Sequence, residues 1–155
     1  MIGARAAILL MVAGCGAAGL ASCRNLDVIT ESFATLAEAQ AAGAVDRGWL
    51  PGGLPAGTRE LRIAHDLDSN RRWGLFDFPP AEGDALRQLL GAEISFDGLS
   101  CRPPARIEWW PVLLREQLEG ERIRATGLKG YAATRNDLIF AINWAQGRAY
   151  YWSRE

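Results

Sequence analysis

The groups best suited to chemistry lie between residues 61 and 78, around the only histidine of the chain. His65 is followed closely by Asp66 and Asp68, which places an imidazole beside two carboxylates. An imidazole is a common general base, and a hydrolase of the Ser-His-Asp type would have to use His65, with a serine brought close by folding. The alternative is structural: His65 falls on the apolar face of its strand by alternation and is a core or edge histidine with a satisfied ring.

The same stretch has spacing typical of a cation site. Asp66, Asp68 and Asn70 alternate as oxygen ligands do at the start of an EF-hand calcium loop, and Asp77 falls at the twelfth position. Arg71, however, occupies the sixth position, where that loop needs glycine. We therefore expect no metal or other cofactor here. The aspartates and the asparagine are predicted to cap a turn, with Arg71 or Arg72 paired with them.

A β-hairpin is predicted to position these groups. Apolar residues and His65 alternate with polar residues over 61–68, which is the period of a half-buried strand. The polar segment 69–72 is a turn, and an aromatic strand follows from Trp73 to Phe78. Two prolines then end it, because proline cannot donate a ladder hydrogen bond.

Trp49 lies in a Pro/Gly-rich segment, 47–55, that is too irregular for a helix or strand and too apolar to be solvated. We expect Trp49 to clamp this loop to the core, and the alternative is a rim of a ligand site. The candidate ligand or turn cluster is therefore Trp49, His65, Asp66, Asp68, Asn70 and Trp73.

The N-terminal region 1–22 has the layout of a signal peptide. A short start with one positive charge, Met1–Arg5, precedes an apolar run and then small residues. Glycines interrupt the apolar region, so a stable membrane-spanning helix is not expected.

Two segments resemble the lipobox of bacterial lipoprotein precursors, an aliphatic residue and two small residues before the cysteine that receives lipid. They end at Cys15 and Cys23. Leu20 opens the second segment after an apolar region of more usual length, so we favour lipidation of Cys23. Cleavage of an ordinary secretory signal near Ala21 or Ser22 is the alternative. In enteric lipoproteins an aspartate at this position marks retention in the inner membrane. This chain has Arg24 instead, so the same resemblance favours the outer membrane.

The remaining thiol, Cys101, has two interpretations. With Cys23 lipidated, Cys101 is unpaired and is either buried and inert or reactive. With cleavage at Cys15, a disulfide between Cys23 and Cys101 becomes possible.

The rest of the chain predicts an α+β fold, a mainly antiparallel sheet built from two hairpins and covered by about three helices. The second hairpin joins strands at 138–144 and 149–152, and a short strand is expected at 94–96. The helices are expected at 35–42, with a Thr35–Glu38 capping box, at 82–90 and at 112–118. Residues 23–34 are predicted to be a tether and residues 35–155 a single globular domain.

Composition excludes some functions. The formal charge of −1 provides no basic field for nucleic acid. The nucleophile elbow, phosphate loop and zinc-protease motifs do not occur in the sequence. An enzyme is therefore less expected than a binding protein.

The run from Ala34 to Phe78 resembles, in the order of its motifs, small bacterial lipoproteins with a YbbD-type head domain. The shared motifs include Thr35-x-x-Glu38, the segment 47–51, and His65-Asp66-x-Asp68-x-Asn70. The resemblance implies an envelope lipoprotein and assigns no reaction or site.

The leading hypothesis is a non-enzymatic binding or accessory module of the bacterial envelope. It would face the periplasm, attach to the membrane through an N-terminal lipid and contact an envelope protein partner. The alternatives are a small periplasmic hydrolase using His65 and nearby aspartates, and a calcium-stabilised structural domain.

Overall fold

A seven-stranded antiparallel sheet is the framework of residues 27–155, the part of the chain that the computed structural model describes. The strands of this range are β1 (Val28–Thr35), β2 (Arg59–Asp66), β3 (Arg72–Asp77), β4 (Leu90–Ile94), β5 (Ser100–Cys101), β6 (Glu116–Gln117), β7 (Lys129–Ala133), β8 (Leu138–Asn143) and β9 (Arg148–Ser153). The α-helices are α1 (Leu36–Ala41), α2 (Gly83–Arg87) and α3 (Gly120–Ala125). The large sheet has the order β1-β2-β3-β9-β8-β7-β4, and β5 pairs with β6 in a small second sheet.

The α+β class with a mainly antiparallel sheet is confirmed, and the sheet is larger than two hairpins. Both predicted hairpins, β2–β3 and β8–β9, are present, and β3 pairs with β9 to join them. β1 adds to β2 at one end, while β7 and β4 extend the sheet beyond β8 at the other. β7 contains one glycine and two alanines among its five residues, and its sequence gave no strand pattern.

Both faces of the sheet are covered. On one face, α1, α2 and the 43–55 loop pack over apolar residues that include Ile63, Phe76 and Tyr151. On the other face, α3 and the long segment between β4 and α3 pack over Trp73 and Trp152. All six residues of β8 are buried, as expected of an inner strand with both faces covered.

The described part of the predicted tether belongs to the sheet. β1 pairs with β2 over its length, from Val28 opposite Asp66 to Thr35 opposite Arg59. Burial alternates from residue to residue along β1, but apolar and polar residues alternate only weakly in its sequence, because an edge strand needs less apolar surface than an inner one. The remainder of the tether, and Cys15 and Cys23, lie outside the described residues.

The predicted capping box starts α1. The Glu38 amide donates to Thr35 Oγ1 at 3.2 Å, and Glu38 Oε2 accepts from the Ala34 amide at 3.0 Å. The box thus satisfies two amides that the first helical turn would leave without partners. Gly43 follows with a φ of 78°, which glycine adopts without strain.

The prediction of a helix at 112–118 is wrong. Residues 112–114 form a single 3₁₀ turn, and the third helix is α3 further along the chain. The Leu114 carbonyl, which a helix would offer to the Leu118 amide, accepts instead from Trp110 Nε1 at 2.6 Å. The Leu118 amide donates to the Leu99 carbonyl. A local side-chain bond from Trp110 and a longer-range bond to Leu99 therefore occupy the two backbone groups that the helix would need.

The second predicted helix is shorter than expected. α2 ends at Arg87, because the Leu89 carbonyl accepts from the Thr134 amide and Leu90 pairs with Ala133 in the sheet. The strand predicted at 94–96 lies earlier, as β4. Among residues 27–155 there is no helix of the length and hydropathy required to cross a membrane.

Gly74 provides a test of how β3 and β9 fit together. A Cβ on this buried residue would overlap the ring of Tyr151, which is fully buried beside it. We expect Gly74→Ala to lower the free energy of unfolding by about 3 kcal/mol or more, through forced displacement of the ring. Urea unfolding followed by tryptophan fluorescence measures the change.

Gly52→Ala is the matched control, because its Cβ would make only ordinary contact, 3.6 Å from Val45 Cγ1. Equal stability of the two variants would show that Tyr151 can move without cost.

Candidate functional site

The turn between β2 and β3 is closed by Asp66. Its Oδ1 accepts from the amides of Asp68 at 3.0 Å and Ser69 at 3.2 Å. Its own amide donates to the Arg71 carbonyl at 2.9 Å. Asn70 has a φ of 55°, a left-handed conformation that asparagine tolerates better than most residues. The Asp66 carboxylate therefore accepts hydrogen bonds from the backbone of the turn, as the turn-capping interpretation predicts.

His65 is buried, with 6% of its surface exposed. Its Nε2 lies 2.9 Å from Asn70 Oδ1, and an amide oxygen only accepts, so His65 donates through Nε2. Its Nδ1 has no hydrogen-bond partner among the residues that the structure describes. The ring centroid lies 4.9 Å from that of Trp49. The imidazole is thus held by ring packing and by one hydrogen bond to the turn.

Trp49 is half-buried and packs against the core. Besides His65 it contacts the Arg47 guanidinium, which lies 4.1 Å from the centre of the indole ring. Tyr151 Oη donates to the Trp49 carbonyl at 2.9 Å, from beneath the loop. Burial raises the pKa of the Tyr151 hydroxyl, so this donor keeps its proton. The loop is therefore fixed both through its indole ring and through its backbone.

Trp73 lies on the other face of the sheet from His65. Its strand neighbour Arg72 pairs with His65, and consecutive side chains on a strand point to opposite faces. Trp73 is 3% exposed and packs with Trp110 and Cys101. The structure therefore does not bring all members of the predicted cluster together: Trp49, His65 and Asn70 are in contact, and Trp73 is separate.

The sequence allowed an unpaired Cys101 to be either buried and inert or reactive, and its surroundings are those of the buried, inert thiol. It forms no disulfide within residues 27–155 and is completely buried. Burial, with the Glu155 carboxylate as a smaller contribution, raises the pKa of the Cys101 thiol to about 12. Since the thiolate is the reactive form, this side chain is part of the core and is not a nucleophile.

The predicted pairing of the neighbouring arginines with the turn carboxylates is wrong. Arg71 pairs with Glu155 at 3.4 Å. Arg72 Nη2 donates to Asp137 at 2.8 Å, and its Nη1 donates to the Gly48 carbonyl. The pairing of β3 with β9 brings Glu155, which follows β9, to Arg71. Arg72 thereby becomes a second clamp on the loop that carries Trp49.

Asp77, the residue at the twelfth position of the calcium-like spacing, pairs with Arg148 instead. The Arg148 guanidinium donates to both Asp77 oxygens, with Nη2 at 2.8 Å, and this pairing raises the pKa of Arg148. Within residues 27–155, no three His, Cys, Asp or Glu side chains are grouped as a metal would require. Asp66 and Asp77, which match the calcium-loop spacing in the sequence, are thus separated along the hairpin.

The sequence reasoning did not find a cleft of about 340 Å³ between two loops. It lies between residues 51–53, just after the Trp49 clamp, and the β7–β8 turn at 134–136; we call it the loop cleft. The sequence indicated only one of its walls, since the segment 47–55 was considered as the rim of a ligand site. A turn that is distant in sequence gave no reason to associate it with the proline and glycines at 51–53.

The geometry thus describes an antiparallel α+β domain whose polar hairpin turn and clamped loop form one rigid end. Residues 27–77 match the family model described as the YbbD head domain, as the sequence motifs indicated. The match comprises β1, α1, the clamped loop, β2 and β3. Searches of curated proteins and of solved structures gave no significant match to this chain.

Replacing Trp49 tests the clamp. A fully buried tryptophan typically contributes about 3–5 kcal/mol, and Trp49 is only half-buried, so we expect Trp49→Ala to cost about 2–3 kcal/mol. The urea midpoint measures the loss. Val112→Ala, at a side chain that is 84% exposed, is the control and should leave stability unchanged. A midpoint that hardly moves for Trp49→Ala would show that the backbone contacts alone hold the loop.

Calcium should not stabilise the protein, because the turn carboxylate binds backbone amides and Asp77 binds Arg148. We expect the same melting temperature in millimolar calcium and in chelator. A calcium site at a hundredfold excess over its dissociation constant would add about 2.7 kcal/mol, a rise of several degrees. A rise that Asp68→Asn abolishes would restore the calcium-binding hypothesis.

Proposed function

We propose that the protein is a lipid-anchored lipoprotein of the bacterial envelope that acts as a binding or accessory module and not as an enzyme. The lipobox ending at Cys23 supplies the anchor, and the match to the YbbD head domain agrees with the family resemblance that suggested this class. The module faces the periplasm, and its partner is another envelope component.

The observation that carries the proposal is the position of β1. This edge strand begins at Val28, shortly after Cys23 in the sequence. An extended chain covers at most about 3.5 Å per residue, so the connection can span at most about 17 Å. A lipid on Cys23 would therefore hold the sheet against the bilayer surface. Such a short connection suits a partner that is itself at the membrane.

The contacts of His65 support a binding module over the alternative hydrolase. A general base must reach the proton of a nucleophile, whereas His65 is packed on Trp49 and donates to Asn70. Asp66 likewise accepts two backbone amides of its own turn. These groups stabilise the hairpin, which is the role that the structural interpretation assigns to them.

Lipidation is tested by mass spectrometry of the full chain expressed in bacteria and extracted from membranes. We expect the mature protein to begin at Cys23 and to carry three acyl chains, since stable anchoring needs more than one. Cys23→Ser should release the protein from the membrane fraction or leave it unprocessed. Cys15→Ser is the matched control and should be processed normally.

An unmodified N-terminus, or lipid on Cys15, would overturn the proposed anchor. Separation of inner and outer membranes on a density gradient tests the location, for which Arg24 favours the outer membrane. Recovery of the lipidated protein only with inner membranes would contradict that part.

A further inference from the structure

The loop cleft has the size and the lining of a small-molecule site. Its volume of about 340 Å³ falls within the range of roughly 300–1,000 Å³ that is usual for such sites. Leu89, Ala133 and Phe140 contribute apolar surface, and Pro51 closes the side formed by the clamped loop. A ligand that fills this cleft would therefore need an apolar body.

One end of the cleft is cationic. Arg135 lines it and has no ion pair or hydrogen bond within residues 27–155. The nearby acid on the same turn, Asp137, is neutralised by Arg72 at 2.8 Å. The cleft thus retains one uncompensated guanidinium, whose fork of donors matches the two oxygens of a carboxylate.

Asn136 adds a second donor beside Arg135. Its Oδ1 accepts from the Leu138 amide at 3.1 Å, which commits the oxygen to the turn and leaves the Nδ2 amide group as the free end of the side chain. Donors without a matching acceptor favour an anionic ligand group over a cationic one. The polar end of the cleft therefore selects a carboxylate.

The wall opposite the β7–β8 turn is fixed before any ligand arrives. Arg72 holds the Gly48 carbonyl and Tyr151 holds the Trp49 carbonyl, just ahead of Pro51 in the chain. Gly53 has a φ of 82°, and a Cβ there would lie 3.0 Å from Leu89, so the loop follows the cleft wall closely. A preformed wall lowers the ordering cost of binding.

We propose that the loop cleft binds a small carboxylate with an apolar body, its anionic group on Arg135 and its body over Leu89 and Phe140. This inference rests on the proposed role as a binding module and names the ligand class. It is independent of the lipid anchor, because every residue involved lies within the described domain.

The test uses the full chain purified in a non-ionic detergent and the probe 3-(4-fluorophenyl)propionate, followed by fluorine NMR. The neutral amide of the same acid is the matched ligand, and detergent alone corrects for partitioning. We expect the acid to bind the wild-type protein about tenfold more tightly than the amide, because only the acid can form a charge-assisted pair with Arg135.

Arg135→Gln should remove this preference and leave acid and amide equal. Arg59→Gln, at an exposed arginine that does not line the cleft, is the matched control and should keep the wild-type preference. Ala133→Leu, which fills the apolar part, should weaken both ligands. Circular dichroism confirms that each variant is folded.

Absence of saturable binding by the wild-type protein would overturn the inference, as would an acid preference that survives Arg135→Gln. Neither result bears on the lipid of Cys23, which mass spectrometry measures separately. A failed anchor with intact acid binding would leave a soluble binding module, and the reverse would leave a lipoprotein with another ligand.

Discussion

The structure depends on the packing of Tyr151 against the backbone of Gly74. The two residues are cross-strand partners where β3 meets β9, and the glycine leaves room for a fully buried ring. The hydroxyl of the same ring donates to the Trp49 carbonyl. One side chain therefore joins the two hairpins and supports the loop above them, so the sheet and the candidate site share a single contact.

The polar groups around this contact stabilise the fold. Arg72 bridges the loop and the β7–β8 turn, because it bonds both Gly48 and Asp137. His65 is packed between the loop and the hairpin turn in the same way. Polar groups are costly to bury without partners. The partners of Arg72 come from segments far apart in sequence, whereas His65 bonds Asn70 in its own hairpin turn and packs on the distant Trp49. The end of the sheet that looks reactive in the sequence is thus a rigid support for the cleft beside it.

The region that matches the YbbD head domain ends where β3 ends. In this chain β3 is not an edge, because β9 pairs along it, and β9 brings β8 and β7 with it. The apolar residues of the matched region and those of β8 and β9 form the same core. The head-type segment is therefore one part of a larger sheet, and both parts contribute walls to the loop cleft.

Local pattern was enough to predict the two hairpins, the α1 capping box and the antiparallel α+β class, because these depend on neighbours in the sequence. The alternation around His65 and the Thr35–Glu38 spacing are such local signals. Only the tertiary structure decided that Arg148 pairs with Asp77, that the Leu118 amide bonds the Leu99 carbonyl and not a helical carbonyl, and that Arg135 borders a cleft. Each of these depends on a partner brought close by strand order, and hydrogen-bond and charge partners distant in the chain leave no periodic trace in the sequence.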